Sequence, residues 1–379
     1  MSRTHLIQLL LFFITLGTTT LAGAEWLFGS SFLGAFRPMG WPQFWAGLQF
    51  SLPFLGVLTV HEFGHYFTAR ANRVRVSLPY YLPLWLGIST TIGTLGAFIR
   101  IRERIRSNRQ YFDIGIAGPL AGFVAALGLL WYGFTHLPPP EYIFTIHPEY
   151  QQFGLKYFQY VYRNPQPGTV QLGDNLLFYF FKTYVATDPA RVPNPFEIIH
   201  YPYLFAGYLA LFFTALNLIP IGQLDGGHIL YGLLGERGHR LVSPVLFVGF
   251  VFYAGLGQFR FSDFDLRTTE AGLYQWGYLL IYLGVLFWTF SRLHENRLLL
   301  LMLAAGVVLG QLTLAYFVPG IEGYVGFLPF MLILGRFLGV YHPPAAIERP
   351  LDPKRRVLGW LALLIFVLCF SPKPFLVTG

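Results

Sequence analysis

The chain runs to 379 residues, of which 54% are hydrophobic, 18% aromatic and only 12% charged, against roughly 25% charged in a soluble domain. That balance excludes an ordinary soluble enzyme. The formal charge of +8 needs no nucleic acid to explain it, because basic residues gathered in short loops are what the cytoplasmic segments of a membrane protein carry.

Several apolar runs reach the roughly 20 residues that a bilayer-spanning helix needs. The expected fold class is therefore an all-α polytopic membrane protein with about nine transmembrane helices. The first apolar run covers residues 6–22. Arg3 before it and Ala22-Gly23-Ala24 after it also fit a cleaved signal peptide; a retained span is expected, since the second span can already direct insertion. Glycine and proline punctuate residues 28–42, a loop, and the second span follows at 42–70.

Residues 74–102 differ from their surroundings. They are β-branched, aromatic and glycine-rich, with Pro79 and Pro83 discouraging a continuous helix. A re-entrant β-hairpin is expected, since irregular backbone at membrane depth is tolerated only where protein or a cavity shelters it. A basic loop, Arg100 to Arg109, leads into a third span at 112–135 that opens on Gly118-Pro119-Leu120-Ala121-Gly122. Small residues there allow close helix approach.

Residues 136–200 form the one sizeable polar insertion, rich in proline and tyrosine, with 176–185 apolar enough to lie on a membrane surface. The fourth span, 201–234, is interrupted by Pro220, Gly222, Gly226 and Gly227. Further spans are expected at 241–257, 271–290, 298–318, 323–340 and 357–370. With the N-terminus inside, 17 of the 26 Lys and Arg fall in inner segments, 8 in outer ones and Arg336 within a span. This bias predicts an N-in integral membrane protein whose insertion 136–200 faces outward.

The chemistry centres on His61-Glu62-Phe63-Gly64-His65, near the cytoplasmic end of the second span. On a helix, His61 and His65 project from one face a turn apart and can share one Zn²⁺. Glu62, on the adjoining flank, is placed to act as a base without occupying the metal. Zinc hydrolases commonly use three protein ligands, and an ionisable residue within a membrane is costly unless partnered. Asp225 is the leading third ligand, because the glycines and proline around it allow the helix to unwind and aim a short carboxylate. Capping of the broken helix is its alternative role. His228, three residues further on, reads as structural or as a support behind the metal ligands, His200 as interfacial, and His294 and Glu295 as solvated. The lone Cys369 excludes an intrachain disulfide and a cysteine-rich metal site.

Taken together and in this order, HEFGH, GPLAG and NLIPIGQLDGGH resemble the site-2 protease family of intramembrane zinc metalloproteases. The resemblance covers roughly residues 43–235. It implies one Zn²⁺ per chain held by His61, His65 and Asp225, with Glu62 as catalytic base and Asn217 holding substrate or the oxyanion. It also implies that the hairpin engages substrate, here through Gly93, Thr94, Leu95, Gly96 and Ala97. Three regions follow: residues 1–42, a first span and outer loop; 43–235, the catalytic membrane core carrying the insertion; and 236–379, additional C-terminal helices. The implied partners are transmembrane protein substrates and the lipid bilayer, with the active site toward the cytoplasm. A non-proteolytic site-2-like binding protein and, further off, a metal-handling transporter are the alternatives. No internal repeat supports the transporter.

Overall fold

The computed structural model describes residues 3–33, 39–87, 91–264 and 271–378. Among these, four helices are long and apolar enough to cross a membrane: Arg3–Phe28 (α1), Trp41–Ala71 (α2), Asn108–Thr135 (α3) and Arg297–Phe317 (numbered α7 below). Exposed Leu6, Leu10, Phe13, Val124 and Trp131 on their surfaces suit contact with hydrocarbon. The protein is thus membrane-embedded and predominantly helical, with two small two-stranded sheets.

The chain forms two compact units. One comprises residues 1–106, 113–218 and 360–379; the other comprises 107–112 and 219–359.

In the first unit, α2 packs against α1 and against Pro202–Leu218 (α4). Small and hydroxylated residues make this closeness possible. A Cβ on Gly47 would lie 2.2 Å from the Thr20 carbonyl oxygen, and one on Gly23 would lie 2.5 Å from the Phe50 ring. Thr20 and Ser51 share a buried hydrogen bond of 2.8 Å. Phe50 stacks on Phe54 at 5.4 Å and on Phe205 at 5.2 Å. Lipid tails are as apolar as these rings, so close packing and hydrogen bonds, more than transfer from water, hold the helices together.

A β-hairpin forms from Tyr80–Leu84 (β1) paired antiparallel with Gly93–Phe98 (β2). Its register shifts between Leu82 and Pro83. Proline lacks the N–H that a regular ladder needs and is accommodated at such an irregularity. Thr94 Oγ1 donates to the Leu82 carbonyl at 2.8 Å, knitting the strands together there. Gly93 docks the hairpin on α1: its φ is +84°, and a Cβ on it would lie 2.3 Å from Thr19 Cα. Thr18 Oγ1 donates to the Gly93 carbonyl at 2.7 Å.

Within the insertion, the helical segment Leu176–Val185 is capped by Asn175, whose side chain accepts from the Phe178 N–H at 2.8 Å. Val170–Leu172 (β3) pairs antiparallel with Phe375–Val377 (β4) near the end of the chain.

The second unit contains Asp225–Ala254 (α5), Ala271–Thr289 (α6), α7 and Val325–Leu338 (α8). The final helix is Pro353–Cys369 (α9). The interruption expected across 201–234 is narrower than the sequence suggests. It lies between Leu218 and Asp225, so Pro220 and Gly222 are in it while Gly226 and Gly227 are helical. Gly227 serves a different need there, since a Cβ on it would lie 2.2 Å from the Gly222 carbonyl oxygen. A second interruption within α5 falls at Gly235, where φ is +71°.

Candidate active site

His61, Glu62 and His65 project from the last turns of α2 and are 6%, 4% and 7% exposed. Helical spacing brings the imidazoles together: His61 Nε2 and His65 Nε2 are 3.0 Å apart, with ring centroids at 4.7 Å. His65 Nδ1 lies 2.7 Å from the Ile114 carbonyl oxygen. A carbonyl can only accept, so Nδ1 carries the hydrogen and, in the neutral ring, Nε2 presents its lone pair to the neighbouring ring. A hydrogen bond of this kind on the remote nitrogen fixes tautomer and orientation in metal-binding histidines.

The small residues that open α3 build the wall behind these rings. A Cβ on Gly118 would lie 2.1 Å from His65 Nε2, and one on Gly122 would lie 3.0 Å from His61 Cβ. From the other side, a Cβ on Gly64 would meet the Ala117 carbonyl oxygen at 2.6 Å. The close approach predicted for the GPLAG segment therefore occurs against the two histidines themselves. It leaves no room behind them for a methyl group at Gly118.

Asn217, on the last turn of α4, places Nδ2 3.5 Å from His61 Nε2. The hairpin also reaches this helix: Tyr81 Oη and Thr59 Oγ1 are 2.8 Å apart, two residues before His61. Tyr81 packs with Leu55 and Leu58. His61, Glu62, His65, Asn217 and the strand Gly93–Phe98 thus belong to one compact unit. Asp225 is the first residue of α5 in the other unit, seven positions after Leu218. Its place at a helix N-terminus also suits a carboxylate, through the helix dipole.

His228 contacts two aromatic rings. Its Nδ1 lies 2.7 Å from His342 Nε2, and its ring stacks on Tyr111 at 5.4 Å. His200 is 5% exposed, with Nδ1 2.7 Å from the Leu27 carbonyl oxygen. The Ile114 carbonyl and the pairing of Tyr81 with Thr59 could not be found from sequence, since neither leaves a mark in residue spacing. The glycines of GPLAG were the one available signal.

Residues 49–256 match the peptidase M50 family. The chain is 29% identical over 192 residues to "Probable zinc metalloprotease EGY1, chloroplastic" of Arabidopsis thaliana, covering 51% of this chain and 30% of that protein. To the protein of the same name from Oryza sativa subsp. japonica it is 28% identical over 200 residues, covering 50% and 30%. To "Probable zinc metalloprotease EGY2, chloroplastic" of Oryza sativa subsp. indica it is 27% identical over 199 residues, covering 52% and 31%. The match thus spans about half of this chain and under a third of each relative's length. No solved structure matches the chain.

Proposed function

Because the chain belongs to peptidase family M50, the family of the site-2 proteases, we propose that it is an intramembrane zinc metalloprotease. It hydrolyses a peptide bond in or near a transmembrane segment of a membrane-protein substrate. The observation that carries this reading is the meeting of two buried imidazole nitrogens at 3.0 Å, one with its tautomer fixed by a backbone carbonyl, in a helix that also carries Glu62.

One Zn²⁺ is held by His61, His65 and Asp225. The tether from Asn217, beside His61, to Asp225 is eight residues, and this supports the carboxylate as third ligand. An ion held there would supply Lewis acidity, lowering the pKa of water toward ~7 and polarising the scissile carbonyl. Glu62 accepts the proton from water and passes it to the leaving amide nitrogen. Asn217 donates a hydrogen bond to the developing oxyanion, a contribution of about 3 kcal/mol by comparison with known oxyanion donors. A helical substrate hides its carbonyls in hydrogen bonds four residues apart and must unwind first. The hairpin is re-entrant, and Gly93 to Ala97 pair with the extended substrate by strand addition. Exposed Leu95, at the irregular point of the register, supports a role in contact.

The catalytic membrane core is residues 43–235, flanked by residues 1–42 and by the helices of 236–379. The chain crosses the bilayer nine times, N-terminus inside, with the active site toward the cytoplasm. Helical segments overlap each of the nine expected ranges among the described residues, which supports the count, and four of them are long and apolar enough to cross a membrane. The pairing of β3 with β4 supports this parity, since six spans between those strands return the chain to the same side.

The test is a membrane-embedded reporter cleaved by the purified chain in lipid. Glu62→Gln should lower turnover by about 10³-fold or more while zinc at this site is retained. His65→Ala should lose both. Full cleavage by Glu62→Gln would refute the assignment.

A further inference from the structure

The insertion holds a second pair of histidines built on the same plan as the first. His147 Nε2 and His200 Nε2 are 3.3 Å apart. The remote nitrogen of each ring is engaged: His200 Nδ1 lies 2.7 Å from the Leu27 carbonyl oxygen, and His147 Nδ1 lies 3.1 Å from Glu149 Oε1. Both partners can only accept when Glu149 is ionised, so both Nδ1 atoms carry hydrogen and, in neutral rings, both Nε2 lone pairs point at each other.

Glu197 completes the group. It precedes His200 by three residues, next to a 3₁₀ turn, Ile198–His200, a geometry that nearly eclipses side chains at this spacing. Its Oε2 lies 3.5 Å from His200 Nε2. Glu197 is fully buried, and among the described residues Oε2 has no hydrogen-bond partner. Oε1 accepts from the Tyr162 hydroxyl. A buried carboxylate oxygen without a hydrogen bond is costly, as are two lone pairs in contact, and a single cation relieves both.

The separations fit such an ion. Ligand atoms about 2.0 Å from a tetrahedral Zn²⁺ are about 3.3 Å apart. Two edges of the group are 3.3 and 3.5 Å, and one donor atom from each of the three residues falls within 4.8 Å of the others. His147 and His200 also line a cleft of about 1270 Å³, with Trp26, Glu149, Tyr150 and Tyr162 among its walls. Three ligands leave a fourth position to water or a small anion from this side.

We propose that His147, Glu197 and His200 form a second divalent transition-metal site of the zinc class, independent of the His61/His65 site. It joins the two ends of the insertion to the end of α1, through the hydrogen bond from His200 to Leu27.

Metal analysis of the chain purified in lipid, reconstituted with Zn²⁺ alone, tests this. Two ions per chain are expected in the wild type and one in His65→Ala. One is also expected in His147→Gln and in Glu197→Gln, the latter being isosteric and able to keep the Tyr162 hydrogen bond. Added to the His65→Ala chain, Co²⁺ should give d–d absorption that Glu197→Gln removes, and Zn²⁺ affinity should fall tenfold or more. Equal zinc content in wild type and Glu197→Gln, with no cobalt spectrum from His65→Ala, would overturn the proposal. It would leave a doubly protonated His147 donating to His200. A chain that lost its His65-dependent ion but kept the Glu197-dependent one would separate this site from the proposed active centre.

Discussion

Gly118 stands directly behind His65, a ligand of the proposed zinc site, and shapes that site without binding anything. The added methyl of Gly118→Ala would fall 2.1 Å from His65 Nε2, so the ring or the helix must move. Overpacking of this kind costs about 1–3 kcal/mol, and a displaced imidazole loses its aim at the ion. Zinc affinity of Gly118→Ala, measured by competition with a chelator, should fall tenfold or more, and proteolysis should fall with it. Gly128→Ala is the control on the same helix, since a Cβ there meets nothing within 4 Å; its affinity should match the wild type. Equal affinities for all three chains would show that the wall behind His65 yields freely.

The hairpin depends on two glycines in different ways. Gly93 is required by docking: a methyl there would lie 2.3 Å from Thr19 Cα, on a backbone already at φ +84°. Gly93→Ala should therefore loosen β2 from α1, seen as faster amide exchange across residues 93–98 than in the wild type. Gly96 has φ +109° with open space around it, and its N–H donates to Thr94 Oγ1 at 3.0 Å. Proline forbids both features. Gly96→Pro should lower substrate turnover at least tenfold while leaving zinc bound. Unchanged turnover would count against strand addition.

At the scale of the molecule, orientation is open to direct labelling. Cys369 is fully buried, so the native chain offers a quiet background for introduced thiols. With the N-terminus inside, a membrane-impermeant maleimide added to intact cells should label Gln151→Cys in the insertion but not Arg104→Cys in the basic loop. Both parent positions are exposed. Labelling should become equal once the membrane is permeabilised. The opposite pattern would invert the topology and place His61 and His65 nearer the outer surface.

Composition and apolar run length determined a helical membrane protein, because each span must satisfy its own backbone and so declares itself locally. The i, i+4 spacing likewise determined that His61 and His65 face one another, since a helix alone brings them together. Only the tertiary structure decided which carbonyl fixes His65, how tightly Gly118 closes behind it and where the fourth span breaks. His147 and His200 are the sharpest case. They are 53 positions apart, with no periodic pattern joining them, and lie 3.3 Å apart only because the insertion folds back on itself against the end of α1.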